Sequence, residues 1–456
     1  MLPIRFSYQN SLKENVGDHG LAKEDFDDRA ALDALHAFRA RVDRGEVGFP
    51  TLPLDSNGAK QIEKFASDLI GDIDAVLILG IGGSALGPSA IDTAIRGPHP
   101  VQPFEKKAPR LFVMDNVDPG YCAAMLSQIN PKRVAVCVIA KSGGTAETLS
   151  TFMITYEWLT KAIGTKKAQK RIIAITDPQN GDLLQIAKNE KFTTFYIPGN
   201  VRGRFSVFTP VGLVPAALGG IDIHKILRGA RESNQYCWSR DLGENIALQS
   251  AMVHYLLDTR RQKKTEVVFA YSNYLWGAAF WYRQLCAESL GKRLNRRGEV
   301  VNTGQTPVAA LGVTDQHSQV QLYMEGPYDK MLTFWTVQRH RADVEIPSNK
   351  SFAKYESAAY LQNRKLSALF HAEQRATEAA LTRAGRPNCR WTLPKVDEFH
   401  LGMFFQLLEF QTAFTAELLG VDAFDQPGVE LAKKLTNGLM GRKGFEEYSP
   451  KTQVAS

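Results

Sequence analysis

Residues 74–90 read DAVLILGIGGSALGPSA, a short apolar run (76–79) closed by glycine and followed by helix-like text. Working outward, the same rhythm returns with apolar runs at 111–114, 134–139, 172–175 and 192–197. Continuous apolar runs of this length suit strands covered on both faces, and the helical text between them predicts parallel crossovers. A doubly wound α/β sheet is expected here. A less regular cycle follows the Gly219-Gly220 break, with strands expected at 267–271, 320–324 and 332–337 and helices over 275–290, 357–381 and 399–419. Residues 1–70 read as helical and loop-like and are expected to pack against the first unit.

The 456 residues exceed what one compact core needs, so two domains are expected, 1–225 and 226–456, with one large α/β domain as the alternative. Apolar residues at 44% and charged residues at 23% are ordinary for a globular chain and exclude a long disordered region. The net charge of +7 favours an anionic partner. The basic clusters at 166–171, 260–264 and 292–297 lack the interleaved aromatics of a base-stacking platform, so nucleic acid is not expected. No apolar run is long enough for a membrane span, and the first residues carry no secretory pattern, so a cytoplasmic enzyme is expected. The five cysteines are widely spaced with no CxxC, which suggests neither disulfides nor a zinc site.

Two loops have the composition of phosphate cradles. In GIGGSALGPSA (80–90), glycines precede a helix start, where first-turn N–H groups face an anion, and Ser84 adds a hydroxyl beside Gly83. Gly80, Gly82 and Ala85 also satisfy a relaxed dinucleotide pattern. The acidic ribose partner, however, is expected ~20 residues on, and the second strand ends at Asp115, farther along than that. In AKSGGTAET (140–148), Lys141, Ser142 and Thr145 surround two glycines. A tight turn with an N-cap threonine is an equal alternative for either loop. Two loops at neighbouring strand ends favour one phosphate ester held between them.

Four further segments carry candidate acids, bases and charges. Arg204 stands in NVRGRFSVFTP (200–210), with Gly203 leaving the guanidinium an open approach, a surface arginine beside a spacer glycine being an equal alternative. Gln284, Glu288 and Lys292 share one helical face in WYRQLCAESLGK (281–292), beside apolar residues that suit Glu288 as a general base. A solvated ion pair with Lys292 is the plainer reading. His317 lies in polar text, GVTDQHSQVQLYMEGP (312–327), where a loop histidine without function is an equal alternative; no two histidines have ligand spacing, so no metal is expected. In AFDQPGVELAKKL (423–435), Asp425 and Pro427 read as a helix start that puts Gln426 and Lys433 on one face, with simple complementation of the helix dipole as the plainer role for Lys433.

In order, GIGGSALGP, KSGGTAET, GRFS, ESLGK, TDQHSQ and FDQPGVELAK resemble the motifs of the glucose-6-phosphate isomerase family, bacterial type, from about Gly80 to Lys433. The resemblance implies two sugar isomerase (SIS) domains, each an α/β/α sandwich with a mainly parallel sheet, plus helical terminal segments. It implies interconversion of glucose 6-phosphate and fructose 6-phosphate through a cis-enediol, in glycolysis and gluconeogenesis, with no cofactor, in a homodimer that shares its active sites. By the same resemblance, Glu288 moves a proton between C1 and C2 and Arg204 stabilises the enediolate. His317 and Lys433 open the ring, Glu147 orients the histidine, and Gln284 and Gln426 line the pocket. Gly83, Ser84, Lys141, Ser142 and Thr145 hold the phosphate. Two departures stand out: Ala140 replaces a usual serine, and Arg202 replaces a usual glycine. The rivals are a sugar-phosphate sensor, which has no need of Glu288, His317 and Lys433 together, and a nucleotide-dependent dehydrogenase.

Overall fold

The computed structural model describes residues 2–98 and 108–449. The chain opens on a short strand, β1 (Arg5–Ser7), whose partner comes much later. The first sheet follows from β2 (Ala75–Leu79), β3 (Arg110–Met114), β4 (Val134–Ala140), β5 (Ile172–Thr176) and β6 (Thr193–Tyr196). All its strands are parallel, in the order β3-β2-β4-β5-β6. Strands β2, β4 and β5 are buried at every position, as their unbroken apolar sequences require of strands covered on both faces. After β2 the chain builds outward to β3 and then returns to the other side as β4. The strand order therefore reverses between β2 and β4, and open α/β sheets bind ligands at the carboxyl ends of such a switch point.

The second half supplies β7 (Thr265–Ala270), the hairpin β8 (Lys292–Leu294) and β9 (Val300–Thr303), then β10 (Thr306–Leu311), β11 (Lys330–Val337) and β12 (Asn388–Leu393). Its sheet runs β1-β12-β11-β7-β10, parallel except that β1 pairs antiparallel with β12. That pairing corrects in part the expectation that residues 1–70 pack on the first unit: β1 completes the second sheet, whereas the helix Ser56–Leu69 packs on the helix Pro210–Leu218 and Phe65 meets Phe195 of β6, as expected. Residues 320–324, expected as a strand, lie instead in the helix Val320–Glu325. The segment belongs to the crossover from β10 to β11, which lie parallel on either side of β7, and strands so placed cannot be joined by a tight turn.

The helix Glu398–Leu419 is buried continuously from His400 to Ala416 and packs against the helix Ile223–Cys237. Glycine permits that close crossing: a Cβ on Gly229 would sit 1.8 Å from the Phe399 carbonyl oxygen, and one on Gly402 would sit 1.9 Å from that of Ile226. One apolar core contains Ile78 and Ile139 of the first sheet together with Ala270, Trp335 and Trp391 of the second, so the two sheets share an interior. The helix after β2, Gly83–Arg96, packs on the helix after β7, Trp276–Leu290. This contact brings residues of the second half to the switch point of the first.

Candidate active site

A cleft of about 570 Å³ opens at the carboxyl ends of β2, β4 and β5. Its walls include both glycine loops, the 202–204 segment, the Gln284 and Glu288 face of the Trp276–Leu290 helix, and Gln426 and Lys433 from the carboxyl-terminal part. Every site residue expected from the sequence lines it except His317 and Glu147.

Packing joins these loops before any ligand is considered. A Cβ on Gly83 would lie 2.3 Å from the carbonyl carbon of Gly203, so glycine there lets the first loop touch the backbone that presents Arg204. Gly82 has φ +59 and sits against the Gln284 side chain. These two glycines thus fit protein to protein. Arg202 has φ −78 and ψ 155, an extended conformation open to any residue, so replacing glycine there adds a charge to the cleft without straining its backbone.

Thr145 precedes the helix Ala146–Ile163, yet its side chain makes no capping hydrogen bond. Its hydroxyl lies 3.3 Å from that of Ser142, in the cleft wall. The N-cap alternative therefore fails, and the hydroxyl is available to a ligand at a helix start. One turn further, Thr148 is buried and its hydroxyl has no partner among the described residues, although the residue lines the same cleft. Thr148 is absent from the residues expected on sequence grounds; its spacing of three from Thr145, on one helical side, is the signal that could have found it. Lys141 behaves differently. Its ammonium donates to the carbonyls of Gly199 and Val201 at 2.8 and 2.7 Å, tying the second loop to the segment that leads to Arg204. Burial, reinforced by the charge of Arg202, lowers its pKa from the ordinary lysine value.

Glu288 is held on both oxygens. Gln284 Nε2 donates to Oε1 at 2.9 Å and Arg204 Nη1 donates to Oε2 at 2.9 Å. Its side chain keeps 34% exposure while that of Arg204 keeps 1%, so the carboxylate faces the cleft with a buried cation behind it. Arg204 also donates from Nε to Ser289 Oγ, from Nη1 to Gln426 Oε1, and from Nη2 to the carbonyls of Ala423 and Asp425. All of its donors are thereby committed to the protein. Burial lowers its pKa from the ordinary arginine value and Glu288 opposes that shift. The expected ion pair between Lys292 and Glu288 does not form: Lys292 donates to the backbone carbonyl of Glu288 and to Asp425, leaving the carboxylate to Arg204 and Gln284.

Lys433, on the exposed helix Glu430–Leu439, reaches the cleft wall and pairs with Glu430 at 2.8 Å. His317 lies elsewhere, exposed at the end of the 3-10 turn Thr314–Gln316 that follows β10. Glu147 stands in the first turn of its helix, outside the cleft lining. Among the described residues, no group of three or more His, Cys, Asp or Glu side chains is placed to hold a metal ion, and no helix is long and apolar enough to cross a membrane.

Two sheets joined through one core, with paired glycine loops facing a carboxylate held by a guanidinium, place the protein in the sugar isomerase fold class. The phosphoglucose isomerase family model matches residues 62–448, and the chain belongs to that family. It is 46% identical over 440 residues to glucose-6-phosphate isomerase of Carboxydothermus hydrogenoformans, covering 95% of this chain and 93% of the relative. It is 38% identical to the enzyme of that name from Rubrobacter xylanophilus, covering 98% and 100% of the two chains. Among solved structures, a hypothetical protein from Thermus thermophilus superposes with a TM-score of 0.84 at 35% identity, covering 96% of this chain and 99% of that one.

Proposed function

We propose that this protein is an enzyme that interconverts glucose 6-phosphate and fructose 6-phosphate by acid–base catalysis without a metal. The observation that carries the reading is the Glu288 carboxylate, fixed between Gln284 and Arg204 and facing, across one cleft, two loops built for a phosphate. The hydroxyls of Ser84, Ser142 and Thr145 anchor the phosphate, so binding energy from a nonreacting group orients the sugar. Lys433 and His317 open the ring. Glu288 then removes the proton from C2 of the aldose, or C1 of the ketose, and returns it to the neighbouring carbon. Negative charge develops on the enediolate oxygens during that transfer. Because the donors of Arg204 are already committed, it counters this charge as a fixed, desolvated cation rather than by reaching out to the sugar.

His317 completes the site from a second copy of the chain in this reading, with Glu147 orienting it across the interface. Two observations favour a homodimer: His317 is exposed and absent from the cleft of its own chain, and the helix carrying Lys433 presents Leu431, Leu435 and Leu439 to solvent. Free, buried cysteines suit a reducing cytoplasm as the place of work.

The test is incubation of the purified protein with fructose 6-phosphate and detection of glucose 6-phosphate, with and without a chelator. Equal conversion in both is expected. Absence of conversion overturns the isomerase reading, and loss in chelator with rescue by a divalent ion overturns the metal-independent chemistry.

A further inference from the structure

The base helix Trp276–Leu290 ends at Gly291, and the next residue, Lys292, turns its side chain back beneath the helix. Its ammonium donates to the Glu288 carbonyl at 2.9 Å, to the Asp425 carbonyl at 2.5 Å and to Asp425 Oδ1 at 2.7 Å, which accounts for all three of its hydrogens. The side chain of Lys292 is only 5% exposed, whereas that of Asp425 is 49% exposed. A cation at a helix carboxyl terminus meets carbonyls that have no partner within the helix. Here it also grips the segment that carries Gln426 and leads into the helix Glu430–Leu439 with Lys433. Arg204 holds the same segment too, through the carbonyls of Ala423 and Asp425 and the Gln426 amide, sharing the Asp425 carbonyl with Lys292. Neither Lys292 nor Asp425 lines the active-site cleft. Both line a separate cleft of about 900 Å³, together with Arg41 and Asp422.

We propose, on the isomerase reading of the cleft, that Lys292 and Asp425 form a latch: positioning residues that lock the Gln426 and Lys433 segment to the end of the helix bearing Glu288. The latch sets the distance between the proton-transfer carboxylate and the groups that handle the sugar ring. It does so without touching substrate, so its loss misplaces Gln426 and Lys433 while the phosphate loops stay as they are. Reacting groups are sensitive to displacement on the scale of ~1 Å.

The experiment compares Lys292→Met, Lys292→Arg, Asp425→Asn and the double variant Lys292→Met/Asp425→Asn in the full-length protein. Amide hydrogen exchange over residues 421–433 reads the latch independently of catalysis, and turnover of fructose 6-phosphate reads its consequence. In Lys292→Met and Asp425→Asn, exchange in that segment rises and kcat falls about tenfold or more, while KM changes by less than about threefold. Lys292→Arg restores part of kcat, and the double variant is no worse than Lys292→Met alone, because that substitution already removes every contact the ammonium makes, the one to the Asp425 carboxylate included. Unchanged exchange in a folded Lys292→Met or Asp425→Asn overturns the latch. So does wild-type kcat despite faster exchange, or losses that multiply in the double variant. A wild-type protein that does not turn over the sugar phosphate counts against the isomerase reading, and the exchange data still decide the latch.

Discussion

Thr145 shows how much a single side chain decides. At a helix start, a threonine that caps its helix is structural, whereas one that leaves the cap unmade and faces a cleft is free to bind. Ser84, on the opposite loop, shares that cleft. Ser84→Ala and Thr145→Ala are therefore expected to raise KM for fructose 6-phosphate more than they lower kcat, since a contact to the nonreacting phosphate binds ground and transition states alike. Steady-state kinetics check this, and an unchanged KM in both variants contradicts the assignment. At this scale the sequence carries a good deal. The i,i+4 spacing of Gln284 and Glu288 anticipates their hydrogen bond. The same spacing misleads for Glu288 and Lys292, because helix spacing says nothing of the Asp425 carboxylate brought in from elsewhere in the chain. Lys141 is a further limit: a lysine in a glycine loop reads as an anion contact, and only the folded chain reveals the two carbonyls that occupy it.

Elements are legible where their sequences are unbroken and obscure where a local signal competes with the fold. The runs of β2, β4 and β5 declare themselves by continuous apolar sequence. β10 contains Pro307, which hides it from a strand pattern, yet it lies at the sheet edge, where a strand tolerates proline. Residues 320–324 place Val320, Leu322 and Met324 at alternate positions, as a strand would, but Leu322 is exposed in the resulting helix and Tyr323 is its buried anchor. The helix Glu398–Leu419 holds a different conflict. Glu409 is fully buried, and neither of its carboxyl oxygens has a partner among the described residues. Burial raises its pKa well above the ordinary 4.5. Above that ordinary value the unfolded chain releases a proton that the folded chain retains, so this group's contribution to stability falls as pH rises until the folded carboxyl ionises too. Glu409→Gln removes this dependence. Its stability relative to wild type, from thermal unfolding across pH 5 to 8, is expected to improve steadily with pH, and a pH-independent difference contradicts the account.

For the molecule as a whole, the common core of the two sheets explains how residues as distant in sequence as Ser84, Glu288 and Lys433 meet in one cleft. Motif order anticipates that convergence through resemblance. The path of the first residues is less visible, because β1 is only three residues long and takes its pairing from β12, far along the chain. His317 tests the next level of organisation. It is exposed and outside the cleft of its own chain, and the proposed function places it in the site of a second copy. Inactive Glu288→Gln and inactive His317→Ala proteins, mixed and allowed to exchange subunits, are expected to regain part of the activity, because some mixed sites carry both native residues. Fluorescence energy transfer between labelled subunits verifies exchange, and no recovery after demonstrated exchange contradicts a shared site.

Glu288 is the proposed carrier of the proton between C1 and C2, and every other role in the cleft depends on it. Turnover of fructose 6-phosphate in D2O, followed by NMR for glucose 6-phosphate and for deuterium at C1 and C2, compares wild type with Glu288→Gln. Glutamine keeps the shape of the side chain but cannot accept the C–H proton, and a general base is worth ~10² to 10⁴ in rate. The account predicts conversion with deuterium incorporation by wild type, and loss of both by about that factor in a folded Glu288→Gln protein. Near-wild-type conversion and deuterium exchange in the folded variant would contradict it.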